Sequence, residues 1–367
     1  MSVKNKKSKR IFYFDALRAL AIITVIMFHV YLRIGKGASV GWGMPPSPGW
    51  IATDLLATIA RCGVAIFLML SGALSLGRVW DIKPFLQKRL PRIAMPFVFW
   101  TVVLASLIVL VYYFHPFSMF NYFHTFDFNT ISTFFYNAFM GDTVWFTPYW
   151  FFWMILGTYL IMPVLNKWLL HADLKEAEYF LVIWLVTCLF SYTINFDFPV
   201  NLKYFTGPIG LVVLGYYLRH TDRKIFNNIY YAIAIFLASA IALVGLSYMF
   251  STPSEFYVFE RYSILFAFEV TGIFCIFKNF GQLNINWKFL SNPDSIFRKS
   301  VFSIAKYSYG IYLTHQFVMN FLVIFLVGHV RYTFLIVILV ILTLVISWGG
   351  LAILNRVPYL NQWIGAK

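Results

Sequence analysis

The stretch Ile11-Phe-Tyr-Phe-Asp-Ala-Leu-Arg-Ala-Leu-Ala-Ile-Ile-Thr-Val-Ile-Met-Phe-His-Val30 decides the fold class of this chain. It is apolar, and its length matches the roughly 20 residues that a helix needs to cross a bilayer. Yet it contains Asp15, Arg18 and His29. Charged groups within a membrane cost at least ~2.5–3.5 kcal/mol each, so they usually face a bundle interior and mark a functional path. The stretch therefore predicts a membrane-spanning helix with a polar stripe.

The spacing of these polar side chains places them on one face of the predicted helix. A helix turns by about 100° and rises by about 1.5 Å per residue, so His29 lies about 20° past three full turns from Arg18 and roughly 16 Å along the axis. Asp15 falls on the same stripe. We interpret His29, Arg18 and Asp15 as catalytic candidates. The structural alternative is an Asp15–Arg18 ion pair at the inner boundary, with His29 capping the outer end.

Composition extends the membrane assignment to the whole chain. Hydrophobic residues make up 60% of the 367 residues, charged residues make up 12%, and the mean hydropathy is +0.74. Soluble domains contain about 25% charged residues, so this composition excludes a soluble globular protein. The 41 Phe, 23 Tyr and 12 Trp residues suit aromatic belts at both membrane interfaces. We expect an all-α, polytopic integral membrane protein.

Apolar runs of about 20 residues give the predicted membrane spans. The second run is interrupted by Asp54 and Arg61, so its first part can form a separate helix at the outer surface. About ten spans are expected, near 12–32, 52–76, 93–114, 146–166, 178–195, 204–219, 229–250, 261–278, 302–326 and 332–355.

The distribution of basic residues predicts the orientation. Of the 29 Lys and Arg residues, 21 fall in segments that a cytoplasmic N-terminus places inside, five fall in outer segments and three fall within spans. Cytoplasmic segments of membrane proteins carry such an excess, so both termini are expected to be cytoplasmic. The predicted organisation is a basic N-terminus (1–11), a transmembrane domain (12–356) and a cytoplasmic tail (357–367). The longest outer segment, 115–145, is expected to lie on the membrane or fold back as a lid.

The net charge of +15 is explained by the topology of the chain in the membrane. Basic residues anchor cytoplasmic segments against the anionic inner leaflet of the lipid bilayer. No basic surface module with interleaved aromatic residues is apparent, so nucleic acid is not an expected partner. The histidines outside the polar stripe show no metal-ligand spacing, and no metal is expected.

Five local patterns follow one another along the chain. They are Asp15-x-x-Arg18 with Arg18-x10-His29, Gly63-Val-Ala-Ile-Phe-Leu-Met-Leu-Ser-Gly72, Arg89-x-x-Arg92 within Phe85–Pro96, Trp145-Phe-Thr-Pro-Tyr-Trp150, and Tyr307-Ser-Tyr-Gly-Ile-Tyr-Leu-Thr-His315. Together they resemble the membrane-bound acyltransferase-3 family, particularly its single-domain members that O-acetylate bacterial surface polysaccharides. The family often has Phe-Phe before the Ser-Gly of the second pattern, where this chain has Phe67-Leu-Met69.

The resemblance implies an O-acyltransferase of the bacterial plasma membrane. It implies transfer from cytoplasmic acyl-CoA, most often acetyl-CoA, to hydroxyls of a cell-surface polysaccharide or its lipid-linked precursor. His29 then matches the essential family histidine, Arg18 its partner arginine, and Arg89 and Arg92 the Arg-x-x-Arg pattern. An imidazole with a pKa near about 6.5 suits removal of the hydroxyl proton at neutral pH. Alternatively, His29 itself accepts the acyl group.

A basic cluster before the third span is the candidate donor-binding site. Lys88, Arg89 and Arg92 would lie at the cytoplasmic mouth, where cations can bind the phosphates of coenzyme A. Pro91, between the two arginines, indicates an entry turn or a first helical turn. The alternative for this cluster is plain topological anchoring.

Five further residues are candidates for contact with substrate or for support of the site. Arg61 and Glu269 are charges within apolar runs, and charges in spans tend to pair with one another. His315 lies toward the middle of the ninth span, where it serves the site or hydrogen-bonds across helices. Trp145 and Tyr149 can stack on a sugar ring or anchor the chain at the interface.

Three functions are compatible with these patterns. The leading hypothesis is a transmembrane O-acetyltransferase. A second is transfer of succinyl or another acyl group to an exopolysaccharide. A third is a polysaccharide exporter without chemistry of its own. The alignment of Arg18 with His29 favours the enzymes, because a pure exporter has little need of a basic imidazole in line with a guanidinium.

Overall fold

A computed structural model describes residues 11–34, 58–114, 126–194, 203–249, 262–283, 292 and 294–366. These residues contain α-helices and no strand, which confirms the all-α class. The predicted basic N-terminus up to Arg10, and Asp54 in the second run, lie outside the described residues. The helices are α1 (Phe12–Ile34), α2 (Cys62–Ser75), α3 (Ile82–Phe114), α4 (Phe128–Met140), α5 (Trp150–His171), α6 (Leu174–Leu189), α7 (Lys203–His220), α8 (Ile229–Met249), α9 (Ile264–Asn279), α10 (Ile296–Leu326) and α11 (Tyr332–Leu354).

Nine helices in the described ranges are long and apolar enough to cross a membrane, namely α1, α2 with the turn before it, α3, α5, α6, α8, α9, α10 and α11. The tenth expected span, 204–219, forms α7 but falls outside this set. Its backbone kinks at Gly207 before Pro208, and charged residues occupy both of its ends. The chain is a polytopic membrane protein, and α7 is the helix on which the predicted count of ten depends.

Helix α1 occupies the middle of the bundle, in contact with α2 on one side and α10 on the other. Its apolar face is completely covered, since Leu17, Ile22 and Ile26 have no exposed surface. The helix is continuous from Phe12 to Ile34. The spacing argument for Arg18 and His29 therefore holds along its whole length.

Helix α7 is held inside the bundle by an unusually close approach to α2. A Cβ atom at Gly72 would lie 1.8 Å from the Val212 carbonyl oxygen, and one at Gly215 would lie 2.0 Å from the Met69 carbonyl oxygen. Small residues allow membrane helices to pack backbone against backbone in this way. This contact gives a physical reason for the glycine of the Ser71-Gly72 pattern.

Helix α3 begins earlier than the predicted span at 93–114. It starts at Ile82, so Arg89 and Arg92 lie on the helix itself and Pro91 lies in its third turn. The expectation of an entry turn at Pro91 was therefore wrong. A proline inside a helix removes one backbone hydrogen bond, and the neighbouring helices that cover α3 on its Ile93 and Pro96 side stabilise the helix in spite of that loss.

The described part of the expected outer segment folds back onto the bundle. Asp127 caps α4 by accepting a hydrogen bond from the Thr130 backbone N–H at 2.8 Å. Phe134 and Ala138 of α4 are buried. The Trp153 indole of α5 donates to the Phe139 carbonyl at 3.0 Å. Residues 115–125 lie outside the described part of the chain.

The expected tail, 357–367, is also packed against the helices over its described part. Ile364 has no exposed surface. Its carbonyl oxygen accepts a hydrogen bond from the Trp100 indole at 3.4 Å and lies against Gly310 of α10. The described part of the tail thus packs against both α3 and α10 at Ile364.

Two ends of the bundle matter for function. The histidine end contains His29 in the last third of α1, and the arginine end contains the C-terminus of α2 with Arg89 of α3. The Arg219 guanidinium reaches both the Ala73 carbonyl oxygen and the Phe14 ring, so α2 ends at the level at which α1 begins. His29 lies fifteen residues beyond Phe14, or about 22 Å along the helix axis.

Candidate functional site

The central feature of the histidine end is a pair of imidazoles on neighbouring helices. His29 of α1 and His315 of α10 have ring centroids 5.0 Å apart. The His315 Nε2 atom lies 3.3 Å from the His29 Nδ1 atom. His315 has no exposed surface, whereas His29 is only partly buried. The structure therefore brings together two histidines that are 286 positions apart in the chain.

Backbone carbonyls determine which ring nitrogens carry the protons. His29 Nδ1 lies 2.8 Å from the Val25 carbonyl oxygen, and His315 Nδ1 lies 2.7 Å from that of Tyr312. A carbonyl oxygen can only accept a hydrogen bond, so each neutral ring carries its proton on Nδ1. The single His29 Nδ1–H is then shared between the Val25 carbonyl at 2.8 Å and His315 Nε2 at 3.3 Å, both of which accept, and His29 Nε2 holds the lone pair. A lone pair at that atom is what a general base or a nucleophile requires.

Arg18 and Asp15 form an ion pair one turn apart on α1, at 3.6 Å. The Asp15 side chain is 6% exposed and the Arg18 side chain is 30% exposed, so the carboxylate is buried and the guanidinium is partly accessible. Arg18 shares the helix face of His29 but lies roughly 16 Å away along the axis. The structure thus places the two residues in line without bringing them into contact.

The donor-binding candidates lie at the arginine end and differ in exposure. Arg89 is half-buried, and its Nη2 atom donates to the Ser75 hydroxyl at 3.0 Å. Its guanidinium also lies over the Phe85 ring, at 5.8 Å. Lys88 and Arg92 are exposed on the same helix. The cluster is therefore one cation fixed at the edge of the bundle with two exposed cations beside it.

Glu269 and Arg61 form a second polar region beside the histidine pair. Glu269 has no exposed surface, and neither of its carboxyl oxygens has a hydrogen-bond partner in the described residues. Arg61 is the cation that acts on this carboxyl group electrostatically. The Arg61 guanidinium lies 5.4 Å from the centre of the Phe28 ring, next to His29. No ion pair within 4.0 Å joins Glu269 to a described residue, so the pairing of the two charges stays a prediction.

Trp145 and Tyr149 are covered by other side chains. Trp145 is 4% exposed and Tyr149 is 1% exposed. The Tyr149 hydroxyl donates to the Leu313 carbonyl at 3.1 Å, and the Tyr312 hydroxyl donates to the Pro148 carbonyl. These reciprocal bonds fasten the turn before α5 to α10, close to His315. Neither predicted ring presents an open face for a sugar, so the structure favours a positioning role for both.

Metal chemistry has no obvious site in the part of the chain that the structure describes. No group of three or more His, Cys, Asp and Glu side chains there could hold a metal ion. Cys62, Cys188 and Cys275 are all free and buried.

Comparison with known proteins places this arrangement in a family. The sequence model Acyl_transf_3, described as an acyltransferase domain, matches residues 11–352. The chain belongs to the acyltransferase-3 family. Searches of curated proteins and of solved structures returned no match. The matched region of this acyltransferase contains both histidines, the ion pair of α1 and the basic cluster of α3.

Two polar residues of α10 close to His315 were not predicted from the sequence. Gln316 and Asn320 of α10 donate hydrogen bonds to the Val144 carbonyl at 3.0 and 3.2 Å. They continue the line of polar side chains that begins at Tyr312 and His315. The signal was present, since a helix face with a polar residue at every turn is unusual in a membrane span.

Proposed function

We propose that this acyltransferase moves an acetyl group from cytoplasmic acetyl-CoA to a hydroxyl of a cell-surface polysaccharide or its lipid-linked precursor, in the bacterial plasma membrane. The observation that carries the proposal is the histidine pair in a chain of the acyltransferase-3 family. An ionisable side chain within a membrane domain costs free energy, so it usually has a function there. A single tautomer leaves one ring nitrogen with a lone pair that can take part in proton transfer.

The proposed chemistry is a single acyl transfer with a proton relay at His29. His29 Nε2 takes the hydroxyl proton as the hydroxyl oxygen attacks the thioester carbonyl carbon. The carbon–sulfur bond then breaks, and the imidazolium returns the proton to the departing thiolate. The products are the O-acyl ester and free coenzyme A. His315 and the Val25 carbonyl stabilise the imidazolium by accepting from Nδ1–H.

The distance between the two ends fits the shape of the donor. The phosphates of coenzyme A would bind Lys88, Arg89 and Arg92 by charge-assisted hydrogen bonds. The thioester would reach His29, about 22 Å further along α1, through the long pantetheine arm. The Asp15–Arg18 pair lies between these levels on the helix face of His29. We propose that this pair lines the path of the pantetheine arm.

An acetylation assay on the protein in nanodiscs tests the proposal. Purified protein receives labelled acetyl-CoA, with and without an envelope polysaccharide extract, and label in the glycan and free thiol are both measured. We expect the parent to transfer label and His29→Ala to transfer essentially none. His171→Ala removes an exposed imidazole at the end of α5 and serves as the matched control.

The outcomes separate the candidate functions. Preferential use of succinyl-CoA would replace the acetyl assignment and keep the site. Glycan export by the parent without any acylation, unchanged in His29→Ala, would overturn the enzyme proposal. Label trapped on His29 before acceptor is added would replace the general-base step by a covalent one.

A further inference from the structure

A second group of cations at the arginine end is not used by the proposed donor site on α3. Arg78 follows α2, Arg219 lies in the last turn of α7, and Lys278 lies in the last turn of α9. Lys278 Nζ donates to the Leu218 carbonyl, next to Arg219, and Gly77, next to Arg78, lies against the Tyr216 ring one turn earlier on α7, so the three cations occupy one region. The residues come from three segments far apart in sequence.

The backbone that carries Arg78 is held in a fixed position. Asn166 of α5 is 2% exposed, and its side-chain oxygen accepts from the Gly77 backbone N–H at 2.8 Å. Its amide nitrogen donates to the Arg78 carbonyl at 2.9 Å. Gly77 has a φ of 69°, and a Cβ atom there would lie 2.5 Å from the Tyr216 ring. A loop that serves only as a topological anchor requires positive charge but no fixed backbone. The backbone of this loop is fixed by its hydrogen bonds to Asn166 and by the conformation of Gly77.

The two half-buried cations, Arg219 and Lys278, keep donors available after their contacts within the protein. Arg219 is half-buried and donates from Nη1 to the Ala73 carbonyl. Lys278 is half-buried and donates to the Leu218 carbonyl at 2.6 Å. A guanidinium has five N–H donors and an ammonium has three, so each contact uses a minority of them. The two helix ends supply partial negative charge, which only partly offsets the cations.

A neighbouring ion pair shows how the three cations differ from another arginine close by. Arg223 donates to both carboxyl oxygens of Glu178, from Nε at 2.6 Å. Arg78, Arg219 and Lys278 form no such ion pair with a described residue. The exposed Asp222 carboxylate acts on Lys278 electrostatically. Three cations and this one carboxylate leave a net positive charge at this place.

We propose that Arg78, Arg219 and Lys278 form a phosphate-binding site. Arg219 and Arg89 approach the same last turn of α2, at Ala73 and at Ser75. A donor with phosphates at two places in its nucleotide could therefore contact both cation groups at once. The phosphate comes from that donor or from an acidic lipid headgroup at the same interface. Assignment to the donor rests on the proposed function, whereas the phosphate site itself does not.

Binding measurements in nanodiscs of neutral phosphatidylcholine test the site without acidic lipid. Coenzyme A is titrated by calorimetry into the parent, Arg78→Gln and the control Lys167→Gln, which removes an exposed cation next to Asn166. Arg78 is exposed, so its variant should fold as the parent does. We expect Arg78→Gln to weaken coenzyme A binding about threefold to tenfold, less than the loss at a half-buried cation because Arg78 is exposed to solvent, and Lys167→Gln to leave it unchanged.

A second experiment omits coenzyme A and uses nanodiscs that contain phosphatidylglycerol. It measures the shift in the Tm of the protein relative to neutral nanodiscs. A shift in the parent that Arg78→Gln loses, with coenzyme A binding unchanged, would support the phosphate site and assign it to lipid. A parent that binds no coenzyme A but shows this shift would contradict the proposed function and leave the phosphate site supported. If neither ligand distinguishes Arg78→Gln from Lys167→Gln, the proposal is overturned.

Discussion

The two ends of the bundle hold their polar side chains in opposite ways. At the histidine end, His315 is completely buried and both imidazoles are oriented by helix carbonyls. At the arginine end, Arg78 and Arg92 are exposed, and Arg89 touches only the edge of the bundle. A reacting group needs one geometry and one tautomer, whereas attraction of a charged ligand needs accessible charge. On the proposed function, the rigid imidazoles carry out the acyl transfer and the accessible cations bind the donor.

If the two ends have these separate roles, the largest effect is expected from a change in α1 between Arg18 and His29. Insertion of one alanine after Ile22 would rotate His29 by about 100° and shift it by about 1.5 Å relative to Arg18. We expect acylation to be abolished while coenzyme A binding at the arginine end persists. The assay is glycan labelling beside calorimetric binding, with Ile23→Ala as the control. Activity near that of the parent would refute the shared-face argument.

The orientation of the chain in the membrane gives the next test, in which each introduced cysteine is either labelled or not labelled. Cysteines are introduced at Asn129 of α4 and at Lys224 between α7 and α8, both exposed, while the native cysteines are buried. From the positive-inside distribution we expect an impermeant thiol reagent added outside to label the first and miss the second. The reverse pattern would place the arginine end outside, and the donor could not enter there.

Removal of His315 tests the rigidity of the histidine end. We expect His315→Ala to lower kcat about tenfold to a hundredfold, as loss of a partner that orients a histidine does, with KM for acetyl-CoA unchanged. His315→Gln retains an acceptor near the position of Nε2 and should recover part of the activity. Steady-state kinetics measure both. Equal losses in the two variants, accompanied by a lower Tm, would indicate a purely structural role.

The arginine end should respond in KM and not in kcat. Arg89→Ala and Arg92→Ala each remove a cation expected to contact a phosphate, and loss of a charge-assisted hydrogen bond costs about 1.5–3 kcal/mol, or roughly tenfold to a hundredfold. We expect KM for acetyl-CoA to rise by that factor, with KM for the acceptor unchanged. Lys83→Ala, exposed on the same helix, is the control. Variants that bind coenzyme A as the parent does would show that the cluster is topological.

The smallest effect concerns Tyr149. Tyr149→Phe removes the hydrogen bond to the Leu313 carbonyl, and a neutral hydrogen bond contributes about 0.5–1.5 kcal/mol. We expect a small fall in Tm and nearly unchanged activity, compared with Tyr136→Phe at an exposed position of α4. A tenfold loss of activity at unchanged Tm would favour the alternative prediction that this ring contacts the sugar.

Much of the architecture was predictable because it follows from local patterns. The apolar runs predicted the helices, and the spacing of Arg18 and His29 predicted their shared face on a continuous α1. The start of α3 was not predictable, because Ile82–Pro91 contains charges and a proline and lacks the apolar run from which the spans were predicted. The kinked α7 was predicted as a span from its apolar centre, while its place beside α2 depends on contacts at Gly72 and Gly215.

The membrane class, the family resemblance and the residues worth testing follow from composition and local spacing. Hydropathy and helical periodicity act within about 20 residues, so they can be read along the chain. The packing of the helices was needed to show that His315 lies beside His29, that Tyr149 bonds to α10, and that Arg78, Arg219 and Lys278 share one region. These groups come from helices far apart in sequence, and their meeting depends on how the helices pack against one another.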